Sequence, residues 1–400
     1  MNPSADDNAT RLRVLEGFRR RFGDEPEWLV RAPGRANLLG AHIDYSEGWV
    51  LPGALDRSIW LAARPARGKT TIVALDFDGS VGEIDASWLA PPLLERTDAT
   101  VGWLDFPRGV AWALARAGYE ALPIEVVFAG DIPIGAGLSS SAAVEVAFTM
   151  AWEATAGIEL DGIERARLGR RVENEYLGVH SGVMDQFAAI HAREHHLLLL
   201  DCRDLTCTQV PLPDGLALVV ADSGVQRNLA GSDYNARPAE CRRAVQLLSP
   251  ILPGIRTLRD LSAQELDEHQ SLLPAVLRKR ARHAVNECQR VLDGAKALQA
   301  AKLFAFGELM RASHESSRDL YEVSTPELDA LAYAAWASDG CYGARLSGAG
   351  FGGCVNALVD YKAAEGVERR LRRDFEQAFG RPCATFTARF GGGASIVKFD

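Results

Sequence analysis

Residues 130–145 read Gly130-Asp-Ile-Pro-Ile-Gly135-Ala-Gly137-Leu-Ser139-Ser140-Ser141-Ala-Ala-Val-Glu145. A β-type apolar run precedes them at Ile124–Ala129, and a strong helix-forming run follows at Ala142–Ala156. Strand, glycine-punctuated turn and helix in that order make an α/β unit. The glycines let the backbone bend and approach a ligand closely. Ser139 stands where the helix begins and reads as its N-cap. A helix N-terminus offers unpaired N–H groups and partial positive charge, which suit phosphate. The serine hydroxyls add donors or a magnesium ligand.

Working outward, a second dense stretch precedes this loop. Trp28-Leu-Val-Arg-Ala reads as a strand ending at Pro33-Gly34, and Arg35-Ala-Asn-Leu-Leu-Gly40-Ala41-His42-Ile-Asp44-Tyr45 follows. An arginine, a histidine and an aspartate within ten residues of glycine-punctuated loop are placed to converge on a small ligand. Downstream, Leu160–Tyr176 reads as a charged amphipathic helix with Glu173 near its end. Asp185 then stands close to Gly182 among Val183, Met184 and Phe187. A carboxylate in that apolar setting calls for a cation, and Arg35 is the candidate; a helix cap is the plainer reading. A second glycine cluster, Arg345-Leu-Ser347-Gly348-Ala349-Gly350-Phe351-Gly352-Gly353-Cys354, runs into a strand at Val355–Val359 and suits closure of two lobes over a ligand.

Other stretches read as scaffold. Val50–Leu55 and Ser58–Ala63 read as strands, and Ala66–Lys69 as a hairpin turn. Gly68-Lys69-Thr70 only imitates a P-loop: Ala63 replaces the first glycine, and β-branched Thr70-Thr-Ile-Val follows instead of a helix. Trp103 opens a helical stretch and reads as core or as a platform for a flat ring. Residues 250–330 read as helical packing without chemistry. Phe386–Phe390 and Ala394–Phe399 read as a terminal hairpin around Gly391-Gly-Gly.

The 400 residues suffice for two lobes, drawn at 1–205 and 206–400. A net charge of −9 argues against nucleic-acid or anionic-membrane partners. The seven cysteines form no Cys-x-x-Cys pair and fit reduced thiols of a cytoplasmic protein. Neither a signal peptide nor a membrane-length apolar run is visible.

Three stretches, Gly34 to Tyr45, Gly135 to Ala143 and Ser347 to Cys354, resemble the three motifs of GHMP kinases. The first is similar to the galactokinase branch, as are Val183-Met-Asp-Gln-Phe and Leu229-Ala-Gly-Ser-Asp-Tyr-Asn. The resemblance implies a two-lobed α/β (α+β) fold. Its N-terminal lobe would hold a mixed sheet and a left-handed βαβ phosphate loop, and its C-terminal lobe an antiparallel sheet and helices, with the active site in the cleft. It implies transfer of the ATP γ-phosphoryl to the C1 hydroxyl of a sugar, with Mg2+. Carried over, Gly135, Ala136, Gly137, Leu138, Ser139, Ser140 and Ser141 would cradle the nucleotide phosphates, with Trp103 near adenine. Ser141 and Glu173 would hold magnesium. Arg35 and Asp185 match the catalytic pair; His42, Asp44, Gly182 and Tyr234 match sugar contacts. A sugar sensor of the same fold and a kinase for an isoprenoid or amino-acid alcohol are the other readings.

One position departs. Galactokinases of the family carry Glu where this chain has Ala41, and galacturonate kinases of the family look similar with Gly-Ala-His-Ile-Asp. A Glu facing C6 would repel a uronate by about 1 kcal/mol in water, and by about 4 at an effective dielectric of 20, for charges 4 Å apart. Ala41 therefore points toward D-galacturonate while still permitting galactose. A cation for that carboxylate is sought at Arg227, and second at Arg57.

Overall fold

Alternation along the strands builds the first layer. In the computed structural model, which describes residues 5–85, 102–225 and 234–399, helix α1 (Ala5–Phe22) lies on one face of a six-stranded sheet. Its Val14, Leu15 and Phe18 pack on Trp60, Ala62, Val127 and Ala129. The residues between these, Ile59, Leu61, Val126 and Phe128, face the main core on the other side. The sheet runs β13-β1-β3-β6-β4-β5, from β1 (Trp28–Asn37), β3 (Pro52–Pro65), β4 (Thr70–Ala74), β5 (Ser80–Ile84), β6 (Ile124–Gly130) and β13 (Ser395–Lys398). Only β4 and β6 pair in parallel, so the sheet is mixed. Its core face is covered by α2 (Asp105–Arg116), α3 (Ser140–Ala156), α4 (Gly162–Arg171) and α5 (Met184–His191). A small sheet, β2 (Trp49–Val50), β7 (His196–Asp201) and β8 (Cys207–Pro211), follows.

The second lobe has an antiparallel sheet, β10-β11-β9-β12, from β9 (Leu216–Asp222), β10 (Cys341–Leu346), β11 (Cys354–Asp360) and β12 (Ala384–Ala388). Around it lie α6 (Ala236–Leu248), α7 (Ala263–His269), α8 (Ala275–Gln299), α9 (Leu303–Asp319), α10 (Pro326–Trp336) and α11 (Ala364–Phe379). This is the mixed α/β architecture, with one mixed and two antiparallel sheets among the described residues. None of the seven cysteines is in a disulfide among the described residues, and no described helix is long and apolar enough to cross a membrane.

Several local expectations are corrected. Strand β1 does not end at Pro33-Gly34 but continues to Asn37 through a register shift between Pro33 and Arg35. Pro33 has no N–H for the ladder, and the Arg35 N–H goes to the Leu138 carbonyl at 3.0 Å, which docks the glycine loop on the strand. Residues 66–69 do not close a hairpin, because β6 lies between β3 and β4. The terminal hairpin is also absent: β12 pairs with β9 and β13 with β1, in different sheets. Gly391–Gly393 bridges the two, with the Gly391 N–H on the Ala54 carbonyl and the Gly393 N–H on that of Ala192. A Cβ at 393 would collide with the Ile190 carbonyl, so this passage requires glycine. A division at 205/206 falls between the paired strands β7 and β8, and β13 returns to the first sheet, so the lobes are not contiguous halves of the chain.

Candidate active site

Arg35 and Asp185 come together from elements far apart in sequence. The extension of β1 carries Arg35, and the first turn of α5 carries Asp185, where a helix N-terminus favours negative charge. The guanidinium donates through Nε to Oδ1 at 2.7 Å and through Nη2 to Oδ2 at 2.6 Å, a bidentate pair. Its Nη1 donates to the Gly137 carbonyl at 2.7 Å, so the same side chain anchors the glycine loop.

Ser139 occupies the N-cap position of α3 but does not cap it with its side chain. It sits at φ +58, in the left-handed region, and its hydroxyl donates to Asp185 Oδ2. The cap expected from the sequence is lost because the hydroxyl serves the carboxylate instead. The first N–H groups of α3 therefore keep their hydrogen-bonding capacity beside a cavity of about 590 Å³. Gly135, Gly137, Ser139, Ser140 and Ser141 line that cavity. The side chains of Ala136 and Leu138 do not; both are buried in the core, which leaves only their backbone for a ligand.

The cavity also gathers carboxylates. Asp44, Glu173 and Asp185 all line it. Glu173 does not lie on a regular α-helix: α4 ends at Arg171, and a π-turn over Val172–Tyr176 turns Glu173 inward, where Ser181 Oγ donates to it. Burial first, then the Asp185 charge, pushes Glu173 up to about 7. The same two causes, in the same order, push Asp44 up to about 6. Gly182 passes directly over Asp44, and a Cβ there would collide with the carboxylate.

His42 is held at φ +56 with its ring near those of Tyr45, Tyr234 and Tyr321. Burial and then the neighbouring His283 push it down to about 3, so it is neutral. Its Nε2 lies 3.0 Å from the Ala349 carbonyl, which can only accept; Nε2 therefore carries the proton. Nδ1 must then accept from Tyr45 OH at 3.0 Å, Tyr45 from Tyr321 OH at 2.8 Å, and Tyr321 from Cys241 Sγ at 3.2 Å. This directed chain joins the sugar loop of the first lobe to the second glycine cluster of the other.

Helix α8 falls within the region read from sequence as packing alone, and it corrects that reading. Its Glu287 accepts from the Gly40 and Ala41 N–H groups at 2.9 and 3.0 Å, and its His283 lies 3.0 Å from the Ala41 carbonyl. Burial, which alone would raise Glu287, is outweighed by Arg290, His283 and Arg345, which hold it well below the usual carboxylate range. The signal was present: Glu287 sits on the stripe with Ala284 and Val291, where a packing helix carries apolar residues.

The remaining candidates divide. Ala41, His42, Asp44, Gly182 and Tyr234 all line the cavity. Trp103 does not; it packs on Phe77 and Phe128. Arg227, with the Gln226–Asp233 stretch, lies outside the described residues. Arg57 also stands off the cavity, 3.4 Å from Asp131 and over the Phe386 ring. Besides Arg35, the described arginine that does line it is Arg345, which sequence reading quoted but gave no role.

Comparison with known proteins agrees with this geometry. The GHMP kinases N terminal domain matches residues 105–193, and the GHMP kinases C terminal matches residues 295–377. The galactokinase galactose-binding signature matches residues 16–65. The galactokinase of Roseiflexus sp. (strain RS-1) is 44% identical, over 96% of each chain. That of Chloroflexus aggregans is 39% identical, over 96% of this chain and 97% of its own. The Lactococcus lactis galactokinase, solved in complex with galactose, superposes with a TM-score of 0.89 at 34% identity, covering 95% of this chain and 98% of that one. A mevalonate kinase shares the fold at a TM-score of 0.61 and 18% identity, covering 90% of this chain and 98% of that one. The chain belongs to the galactokinase branch of the GHMP kinase family.

Proposed function

We propose that the chain transfers the γ-phosphoryl of ATP to the C1 hydroxyl of a galactose-configured sugar, with D-galacturonate admitted beside D-galactose. The observation that carries this is the state of the Asp185 carboxylate. Such a group offers about four acceptor sites. Arg35 and Ser139 take one on Oδ1 and two on Oδ2, and the side chain remains about a quarter exposed to the cavity. Oδ1 keeps a site for a sugar hydroxyl, oriented by a guanidinium that cannot rotate away. In this role Asp185 accepts the hydroxyl proton, with Arg35 holding the carboxylate aimed through its two hydrogen bonds.

On the other side, the α3 N-terminus and the Ser140 and Ser141 hydroxyls face the phosphates, and stabilise the charge that develops there. Ser141 and Glu173 would hold a magnesium ion. Their hydroxyl and carboxylate oxygens suit it, and the mutual repulsion of Asp44, Glu173 and Asp185 marks a place short of positive charge. Bound there, magnesium neutralises phosphate charge. His42, Asp44, Gly182 and Tyr234 would contact the sugar. Galactose as acceptor is supported by the relatives, and galacturonate by the small side chain of Ala41 on the cavity wall.

The test is an ADP-coupled assay with ATP and magnesium across galactose, galacturonate, glucuronate, N-acetylgalactosamine and arabinose. ADP release with galactose or galacturonate, and a product phosphorylated at C1, is expected. Release with none of the five overturns the reading.

A further inference from the structure

Beneath the Gly40–Ala41 backbone, two guanidinium groups lie near one carboxylate, and only one of them bonds it. Glu287 is fully buried, and its Oε2 accepts from Arg290 Nε at 2.6 Å. Its Oε1 accepts from the Gly40 and Ala41 N–H groups and from Ser313 Oγ, at 2.9, 3.0 and 2.6 Å. That carboxylate is fully engaged. Arg345, near the end of β10, is the second guanidinium and is 1% exposed. Its single hydrogen bond is a long one, from Nη1 to the Asn37 carbonyl at 3.4 Å, and its Nε has no partner. No described carboxylate lies within ion-pair distance of it. Burial, together with Arg290 and Arg35 and against Glu287, pushes it down to about 10, which leaves it charged at neutral pH. A buried guanidinium that makes no ion pair and leaves its Nε unpartnered is a costly arrangement in a stable fold, even with the Glu287 charge nearby.

Arg345 lines the cavity with Asn37, Ala41 and His42. Arg35, the other arginine on that wall, is consumed by Asp185 and Gly137. We propose that Arg345 is an anion-recognising group of the acceptor site, pairing with the carboxylate of a hexuronate, D-galacturonate, in the space that Ala41 leaves open. The inference rests on the sugar 1-kinase reading for its substrate. The phosphates of ATP are the other anions near this wall. The sugar is favoured because Arg345 acts on Glu287, His283 and His42, which hold or belong to the loop at 40–42. The phosphate loop at 135–141 is instead tied to Arg35.

The experiment compares kcat/KM for D-galacturonate, its methyl ester and D-galactose on the wild type, Arg345→Lys, Arg345→Met and Ala41→Glu. Wild type is expected to use galacturonate at least as well as galactose, and to lose about tenfold or more on the neutral ester. Arg345→Met should lower the galacturonate-to-galactose ratio by about thirtyfold or more, the scale of truncating a desolvated charge pair. Arg345→Lys should lower it less, and Ala41→Glu should also move it toward galactose. Equal loss on both sugars in Arg345→Met, or a raised KM for ATP with the ratio unchanged, overturns the inference. So does a galacturonate that is neither phosphorylated nor competitive with galactose, a result that leaves the sugar 1-kinase reading intact. Should Arg345→Met fail to fold, the acid-to-ester ratio on wild type and the Ala41→Glu shift decide. Should no sugar be phosphorylated, the sugar 1-kinase reading falls. A rise in Tm with galacturonate but not with its ester then still sustains Arg345 as the anion site, and equal shifts overturn it.

Discussion

The two ends of the cavity differ in how their charges are matched. Around Asp185 each nitrogen of Arg35 donates a hydrogen bond, and three carboxylates lie together, two of them, Asp44 and Glu173, pushed up by burial first and then by the Asp185 charge. Around the Gly40–Ala41 backbone the imbalance is reversed: the saturated Glu287 carboxylate pairs with Arg290, and Arg345 beside it makes no ion pair among the described residues. An excess of negative charge suits a site completed by a cation and a polyphosphate. An excess of positive charge suits an anionic acceptor.

The comparison breaks first at Asp185. Asp185→Asn should lower kcat by about 10²–10⁴-fold in a protein that still folds, with a lowered Tm, since the proposed general base is lost and the buried Arg35 loses its carboxylate while keeping its Gly137 contact. Turnover within a few fold of wild type would remove Asp185 from the chemistry. A smaller effect is expected at the other end, and on stability. Glu287→Gln takes the carboxylate from Arg290 and the nearby negative charge from the buried Arg345, at a cost of about 3 kcal/mol or more. Thermal or urea unfolding should show that loss, together with a raised sugar KM as the Gly40–Ala41 backbone loosens. A variant as stable as wild type would show that Arg290 and Arg345 do not depend on it.

Glu173→Gln should shift the magnesium midpoint of activity upward by about tenfold, on the scale of one lost charged ligand, with sugar KM moving less. The reverse pattern would reassign Glu173. The smallest effect is on stability against pH. Glu173 and Asp44 titrate near 7 and 6 in the fold, against ordinary values of 4.5 and 3.8. Between those limits the folded protein binds more protons than the unfolded one, so these groups make stability fall as pH rises from about 4 to 7. The free protein should show that slope in Tm, and Glu173→Gln should flatten it. Identical slopes would mean that Glu173 is not held protonated.

Much of this site was legible in the sequence because it rests on local signals. A strand, glycines and three serines announce a loop opening a helix, and a carboxylate among Val183, Met184 and Phe187 announces a distant cation. The misreadings share one cause, which is partnership across the fold. Ser139 is a fair N-cap by type, and nothing local says that Asp185 will take its hydroxyl. Gly391-Gly-Gly between two β-type runs looks like a hairpin until each run is claimed by a different sheet. Glu287 left only a faint mark, a charge on an apolar stripe of α8.

By itself the sequence determined the family, the phosphate loop and the substitution at position 41, since each is a matter of residue type and spacing along the chain. The tertiary structure alone decided which charges meet. Arg227 and Arg57 were the nearest arginines by type and motif, but burial and pairing depend on neighbours hundreds of residues away. Only the packing of β10 beside the Asn37–His42 stretch shows that Arg345 reaches the cavity with no ion pair among the described residues.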